Sequence, residues 1–556
     1  MKNATRQGYL SWICSKIKKR LPALGLMTVL NIAIAYANIR FALTTKAVIN
    51  SAVNADLRML KFSGLLLICL CLFRMLGSTL SQFLFVNVHE NLERDFKYSI
   101  LDTILHSDYS RISRHHSGDL IQRMDSDAAQ IISGIMDYTA GLAGTLMAMC
   151  ASVTALLQIA PLFTILCGIG MALLAGSSLI LRNVMKRLSR DTSAANGRVN
   201  GFLHESISRL MLIQALDLSG EMRRRTGNVL DDRWKVRRKW RNLSIVSKFG
   251  SNMIGYLSYL ITMLWCASAL VGGRITYGDV AAITSLVAMV QNSATSLPHM
   301  IPRFMVITAA CDRIMELEQI PQQADSNAES IRPVYDTMTG FRAENLTFSY
   351  DRDTILRDVS LTIPKGGLTV IVGPSGIGKS TLLKLLLGLY RPDSGTLSID
   401  TTDGAIPVDR GTRALFSYAP QGNFLLSGTL RENLTYTNPQ ATDEQIQEAL
   451  YVSAMDEYVA SLPEGLETVL QENGAGISEG QAQRISLARA ILSGAPVLLL
   501  DEVTSALDAA TEKTVLERIT ALPGKTCIAV THRPAALKLA QRIIEVSEAG
   551  MTITEW

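Results

Sequence analysis

The run Gly373-Pro374-Ser375-Gly376-Ile377-Gly378-Lys379-Ser380-Thr381 has the spacing G-x-x-x-x-G-K-[ST]. An apolar stretch, Leu368 to Val372, precedes it, and a helix-forming stretch, Thr381 to Tyr390, follows. A glycine-rich loop between a strand and a helix wraps a phosphate. Its backbone N–H groups close on the β-phosphate, and the helix N-terminus adds positive potential. Lys379 is expected to pair with the β- and γ-phosphates, and Ser380 to offer its hydroxyl to Mg2+.

A second stretch, Gly474 to Asp508, reads GAGISEGQAQRISLARAILSGAPVLLLDEVTSALD. Gln481 to Leu492 is rich in helix formers, and turn residues follow at Ser493, Gly494, Ala495 and Pro496. Val497 to Leu500 has no polar break, as a strand buried on both faces requires. It delivers Asp501 and Glu502 to its carboxyl end, where ligands sit in open α/β sheets. Two acids there are costly unless they meet a cation or do chemistry. Taken alone, the stretch also reads as a solvated loop after a core strand. Beside a phosphate loop, Asp501 becomes a carboxylate that holds the metal through its waters, and Glu502 one that polarises an attacking water. Cys527 to Val530 is another short apolar strand, ending in Thr531-His532-Arg533, from which His532 can reach a γ-phosphate.

The chain that positions these groups has 556 residues and a net charge of +5. Its halves differ. Up to about Leu317 long apolar runs alternate with basic loops; from Phe341 the texture is that of a soluble α/β domain. Lys16, Lys18, Lys19 and Arg20 precede the first apolar run, and Arg223, Arg224, Arg225, Arg237, Arg238, Lys239 and Arg241 precede the fifth. Cations beside segments of membrane-spanning length follow the positive-inside pattern, not that of a nucleic-acid surface. The 8 cysteines show no CxxC pair or metal-like spacing, and Cys69, Cys71, Cys150, Cys167 and Cys266 read as small buried hydrophobes. No cleavable signal peptide is evident.

Gly8 to Arg20 reads as an interfacial helix anchored by Tyr9 and Trp12. Six spans follow, at roughly 23–52, 60–90, 128–158, 160–182, 246–272 and 279–312, each near or above the ~20 residues needed to cross. Arg40, Lys46, Arg74, His299 and Arg303 fall within or near them. Such residues argue for a bundle with a polar interior. Arg74, the most central, reads equally as a substrate-cavity cation and as an inter-helix or snorkelling group. Pro298 and Pro302 should kink the last span. An even span number and a basic N-terminus place both ends of this half in the cytoplasm. The outside connections are short. The inside ones are too long for simple loops, and turn at Tyr109 to Gly118 and at Asp217 to Gly220. His115 and His116 lack a third metal ligand nearby. Pro321 to Thr339 reads as an inter-domain linker, dividing the chain into a membrane domain (1–318), a linker (319–340) and an ATPase domain (341–556).

The whole chain resembles a half-transporter of the ATP-binding cassette (ABC) superfamily, of the multidrug, lipid and peptide exporter type. Gly373 to Thr381 matches Walker A, Gln421 the Q-loop, Ile477 to Gln481 the signature motif and Val497 to Asp501 Walker B. Glu502 matches the catalytic glutamate, Ser505 to Asp508 the D-loop, His532 the switch histidine and Tyr350 the adenine-stacking aromatic. Glu472-Asn473-Gly474 resembles an exporter-specific loop that contacts membrane helices. The resemblance implies a six-span helical membrane domain joined to an α/β P-loop ATPase with an antiparallel β subdomain and an α-helical subdomain. It implies catalysis by Glu502, His532, Gln421 and Lys379, and Mg2+ at Ser380, Gln421 and Asp501. ATP is held by Tyr350 and Gly373 to Thr381, and by Ser478, Gly480 and Gln481 of a second cassette.

It also implies two cassettes closing on two ATP molecules, with both hairpin tips acting as coupling helices that switch the spans from inward- to outward-facing. The partner is a second copy or a paralogous half-transporter. The location is a cell membrane, bacterial inner membrane by type, multi-pass, with the N-terminus and ATPase domain cytoplasmic; membrane lipids and a transported peptide, lipid or amphipathic small molecule are the other partners, without nucleic acid. A non-transporting regulatory ATPase is the alternative. No peptidase-like segment precedes the first span, which disfavours a leader-cleaving peptide exporter. Arg74 or Arg303 would suit an anionic or amphipathic cargo. One position departs from the family: Glu479 stands where the signature has glycine. Its backbone N–H survives, so tolerance is expected, with slower closure from the added charge.

Overall fold

The computed structural model describes residues 6–322, 331–350, 353–422, 424–471, 476–547 and 550–555. The expected contact loop at 472–474 and the side chain of His299 lie outside the described residues. The chain forms two compact units, Met1–Leu101 with Gly118–Glu316, and Asp102–Ser117 with Leu317–Trp556.

The first unit is helical. Its elements are α1 (Arg6–Ile17), α2 (Leu21–Val53) and α3 (Leu57–His106), which runs on into the second unit. After α4 (Tyr109–Ile112) come α5 (Ser117–Gln122), α6 (Ala128–Met136) and α7 (Leu142–Ile159), joined by π-turns Arg123–Asp127 and Asp137–Gly141. Then follow α8 (Pro161–Ser208), α9 (Leu210–Ala215), α10 (Ser219–Val271) and α11 (Tyr277–Glu318). Pro161 opens α8 at a position where its missing N–H costs nothing. Among the described residues, five helices are long and apolar enough to span a membrane. The fourth expected span lies in α8, where most side chains of 166–183 lie outside the described residues. On α3, Phe62, Leu65, Ile68, Leu76 and Phe83 are each at least 59% exposed, a surface that suits lipid and not water. The last helix continues through Pro298 and Pro302.

α1 docks on its neighbours through polar contacts. Tyr9 Oη donates to Asp312 Oδ1 at 2.6 Å, Lys16 to Ser99 Oγ at 2.9 Å, and Trp12 meets Phe96 edge-on. Several ionisable residues of the spans are partnered. Arg74 stacks over Phe41, 4.6 Å from the ring centroid. Arg303 meets Asp137 Oδ2 at 2.5 Å, although its side chain stays half exposed. Arg313 grips Asp127 with two bonds of 2.6 Å, and Arg123 reaches Glu316 at 3.0 Å and the Arg313 carbonyl at 2.7 Å. Salt bridges thus join the α5–α7 run to α11.

At the opposite end of α2, Lys46 meets Asp279 Oδ1 at 2.7 Å, and Asn50 Oδ1 accepts from Gly278 N at 2.8 Å. Gly278 is there because α2 passes so close: a Cβ would lie 2.3 Å from the Lys46 carbonyl oxygen. Gly278→Val must push α11 away from backbone, at about 1–3 kcal/mol. The purified variant should melt several degrees lower in a thermal scan; an unchanged Tm would mean the approach is looser than described.

The second inside hairpin has two breaks where one is expected. Asp217, in the expected 217–220, falls in the break between α9 (Leu210–Ala215) and α10, and an earlier break follows the end of α8 at Ser208. Asp217, at φ 50°, then leads into α10. A short apolar helix, LMLIQA, was hidden inside what looks like continuous helical pattern. Its surroundings are exposed: Ile207 by 71% and Met211 by 86%.

The second unit has a six-stranded sheet in the order β12-β11-β3-β10-β9-β6 and a four-stranded antiparallel sheet, β2-β1-β4-β5. Here β1 is Met338–Tyr350, β2 Asp353–Pro364, β3 Gly367–Val372, β4 Ser394–Thr401, β5 Gly404–Pro407 and β6 Phe416–Ala419. A small ribbon pairs β7 (Gly428–Thr429) with β8 (Val469–Leu470). β9 is Val497–Asp501, β10 Thr526–Val530, β11 Arg542–Ser547 and β12 Gly550–Glu555. β3, β6, β9, β10 and β11 run parallel, and β12 closes the edge antiparallel. β9 and β10 are buried along their whole length, as their unbroken apolar runs require. The helices Leu430–Thr435, Asp443–Val452, Asp456–Ser461 and Glu479–Leu492 share a core of Leu434, Ile446, Leu450, Met455 and Ile485.

The hairpin Asp102–Ser117 belongs to this unit. Asp108 N donates to the Pro321 carbonyl at 3.0 Å, and Arg410 Nη1 to the His106 carbonyl at 3.3 Å.

Candidate active site

Four parallel strands end at one edge, and each delivers a residue singled out in the sequence. The glycine-rich loop follows β3, Gln421 follows β6, Asp501 ends β9 and His532 follows β10. The sheet order places β3, β10, β9 and β6 side by side, so residues far apart in sequence converge.

The loop has the backbone its glycines permit: φ is 149° at Gly373, 84° at Gly376 and 105° at Gly378. At Gly378 a Cβ would strike Ile355 and Leu356 at 2.8 Å. The helix starts at Lys379 and runs to Leu386, two residues earlier at its start and four earlier at its end than expected. Lys379 is buried and caps the Gly373 and Pro374 carbonyls at 2.6 and 2.8 Å. Burial pulls its pKa down, while Glu502 and Asp501 oppose the shift. Ser380 Oγ donates to Asp501 Oδ1 at 2.8 Å. Asp501 is only 2% exposed. A buried acid beside a serine hydroxyl at the foot of a phosphate loop fits a hard divalent cation and a nucleotide triphosphate.

Glu502 stands just past the strand with φ at 50°, held by its N–H to the Val530 carbonyl at 3.0 Å. Its Oε2 accepts from Gln421 Nε2 at 2.7 Å. His532 is exposed after β10. Tyr350 is half-buried, its hydroxyl 3.5 Å from Thr381 Oγ1. Pro374, Ser375 and Ile377 lie in the loop itself.

Ser478, Gly480 and Gln481 lie elsewhere, at the N-terminus of Glu479–Leu492. Ser478 Oγ accepts from Gln481 N at 3.3 Å, and Gln481 Oε1 returns a bond to Ser478 N at 2.9 Å. This capping box starts the helix at Glu479 instead of Gln481 and leaves the Ser478 hydroxyl proton able to donate. Gly480 is required by contact: a Cβ would lie 2.9 Å from the Ala506 carbonyl oxygen. Gln483 ties the same helix to Ser505 Oγ at 3.1 Å and Ala506 N at 3.2 Å. Glu479 is exposed in the first helical turn, where an acid favours the helix dipole. Among the described residues, no hydrogen bond joins Ser478 to the phosphate loop of its own chain.

Two groups escaped the sequence reading. Tyr418 Oη donates to Asp501 Oδ2 at 3.1 Å. Burial first, then Asp501, pushes its phenol well above the usual range. Its place three residues before Gln421, on the strand beside β9, was the available signal. Gln483, buried inside the signature helix, was the other. Among the described residues no cluster of His, Cys, Asp and Glu forms a metal site of its own, His115 and His116 included.

Residues 24–294 match the family model of the ABC transporter transmembrane region, and residues 356–505 that of the ABC transporter. The mycobactin import ATP-binding/permease protein IrtB of Mycobacterium tuberculosis is 31% identical over 68% of this chain and 67% of its own. The transport/processing ATP-binding protein ComA of Streptococcus pneumoniae is 26% identical over 99% of this chain and 76% of its own. A bacterial Atm1-family ABC exporter solved with ATP bound superposes with a TM-score of 0.81, covering 96% of this chain and 95% of that one at 20% identity. The two family models on one polypeptide, together with the relative at 31% identity, make the chain a member of the ABC transporter family and an ATP hydrolase coupled to transport.

Proposed function

We propose that two copies of this chain export an amphipathic substrate across the cytoplasmic membrane, driven by ATP. The observation that carries the reading is the convergence of Lys379, Ser380, Asp501, Glu502 and Gln421 at one sheet edge, with Ser478 outside it. One chain then supplies half of each of two sites. The exposed apolar tip around Ile207 and Met211 supports a second copy, because such a surface calls for a partner.

In this reading Lys379 releases its two loop carbonyls to bind the β- and γ-phosphates, and the loop amides of 373–381 hold the β-phosphate. Ser380, Asp501 and Gln421 would hold Mg2+, which would supply charge neutralisation at the phosphates. Glu502 orients a water and takes its proton, His532 donates to the γ-phosphate, and Ser478 of the opposite copy closes the site. Tyr350 stacks on the base. The hairpin at 102–117, packed on the ATPase sheets, carries closure to the membrane helices through α3.

For substrate, a cavity of about 370 Å³ is lined by Ser126, Gln130 and Ser133 on one side and Arg303, Val306 and Ile307 on the other. With Arg303 already on Asp137, it suits an amphiphile with a hydrogen-bonding head better than a bare anion. Import is the second reading, favoured by the named role of IrtB.

Reconstitution decides between them. Inside-out vesicles should accumulate an acidic or zwitterionic amphiphile with ATP; accumulation only in right-side-out vesicles means import. Uptake unchanged in Glu502→Gln would remove ATP as the driver. Gel filtration of Glu502→Gln with ATP that shows monomer alone would remove the homodimer.

A further inference from the structure

Four tyrosines gather beside the nucleotide site. Tyr390 packs edge-on against Tyr350 at 5.3 Å between centroids and against Tyr109 of the hairpin at 5.6 Å. Phe348 fills the space between, 4.9 Å from Tyr350 and 5.3 Å from Tyr390. The fourth is Tyr418. It packs on the same hydrophobic core as Tyr350 and Tyr390.

Tyr418 is the member that touches the acid. β6 and β9 run parallel with Tyr418 opposite Leu499, so the ring must reach along the strand to the Asp501 carboxylate. Asp501 then has both oxygens fixed, Oδ1 by Ser380 and Oδ2 by Tyr418. A buried carboxylate held at both oxygens keeps one rotamer; with one hold removed it is free to turn about its terminal torsion.

We propose that Tyr418 is a positioning residue for Asp501, keeping Oδ1 turned to Ser380, and that the tyrosine cluster ties this hold to Tyr109 of the hairpin. It rests on the reading that Asp501 and Ser380 hold the divalent cation. Through it, docking of the hairpin and affinity for the metal are linked within one domain. A hairpin pulled away loosens the packing around Tyr418, and with it the acid.

The test uses the full-length dimer in lipid nanodiscs, with Mn2+ as the probe and a non-hydrolysable ATP analogue present. Free Mn2+ is read by electron paramagnetic resonance. Tyr418→Phe keeps the ring and should weaken Mn2+ binding about threefold to thirtyfold, the loss of a hydrogen bond to a charged group. Affinity for the analogue in EDTA should not move, a split that general loosening would not give. Tyr109→Ala should weaken Mn2+ binding in the same direction, and Tyr109→Phe should not. Unchanged Mn2+ affinity in folded Tyr418→Phe, or in Tyr109→Ala, overturns the inference; should Tyr418→Phe fail to fold, Tyr109→Ala against Tyr109→Phe decides it. Asp501→Asn separates the two levels. If it abolishes Mn2+ binding while Tyr418→Phe does nothing, only the positioning role falls. If it too does nothing, the metal site falls with it.

Discussion

Glu502→Gln should bind ATP and fail to hydrolyse it, with turnover reduced by about 10²–10⁴-fold, the usual share of a general base. The change is nearly isosteric. It removes the proton acceptor and leaves an amide to face Gln421 Nε2, now 2.7 Å from Glu502 Oε2. Phosphate release measures the first half and fluorescent-nucleotide binding the second. Residual hydrolysis within threefold of the parent would assign the base elsewhere. The backbone adds a second arm. Glu502 sits at φ 50°, where a side chain costs about 1–2 kcal/mol. Glu502→Gly should therefore be equally inactive and melt no lower than the parent, even though it removes a whole side chain. A large drop in Tm would mean that the Gln421 contact outweighs the strain. Strain held at this position is understandable if it aims the carboxylate away from the strand toward an attacking water.

Arg313→Ala should be the most damaging change in the helical unit. Asp127 is fully buried and takes two bonds of 2.6 Å from Arg313. Without the guanidinium, a carboxylate is left in the packed interior with its charge uncompensated. Breaking such a pair from one side costs about 3–5 kcal/mol, and the lower end applies because the Arg313 side chain is 40% exposed. A Tm drop of roughly 5–10 °C in detergent follows. The control is the double variant Asp127→Leu with Arg313→Met. It replaces both charges with apolar volume and should recover most of the loss. If the double variant melts as low as the single one, packing and not charge is the cause.

The parts of this molecule legible in sequence are those whose signal is local. The helix ends at Val53, Leu57, Ile159, Pro161, Val271 and Tyr277 lie within a few residues of the expected ones, because each apolar run stops there at a turn or a proline, whereas α3, α8 and α10 run on well past the other expected limits. The phosphate loop is one continuous string, and β9 declares itself by four apolar residues before two acids. What escaped needs two distant pieces of chain. Arg303 lines the cavity with Asp137 beside it, and Arg74 lies over Phe41; neither partner is visible from the sequence around the arginine. Tyr418 is unremarked in FSYA, because its partner lies on a strand that begins at Val497. The earlier break of the second hairpin, at Arg209, is hidden for a different reason. Residues 209–216 are helix formers throughout, so propensity runs straight across the turn. Glu479 was noted as a departure from the family, and its exposed place in the first helical turn explains why the fold tolerates it.

The contact between Gly373 and β11 has a consequence for how the protein is made. A Cβ at Gly373 would lie 2.4 Å from the Val546 carbonyl oxygen, so the phosphate loop is backed by a strand 173 positions downstream. Tyr109 likewise waits for Tyr390, which is 281 positions downstream. At ribosomal speed that interval is roughly 14–56 s. During it the first hairpin has left the ribosome and the surface that will hold it does not yet exist. On the proposed reading, ATP has no finished cradle until β11 has emerged. Nucleotide binding on that reading therefore waits for a strand made well after the phosphate loop itself.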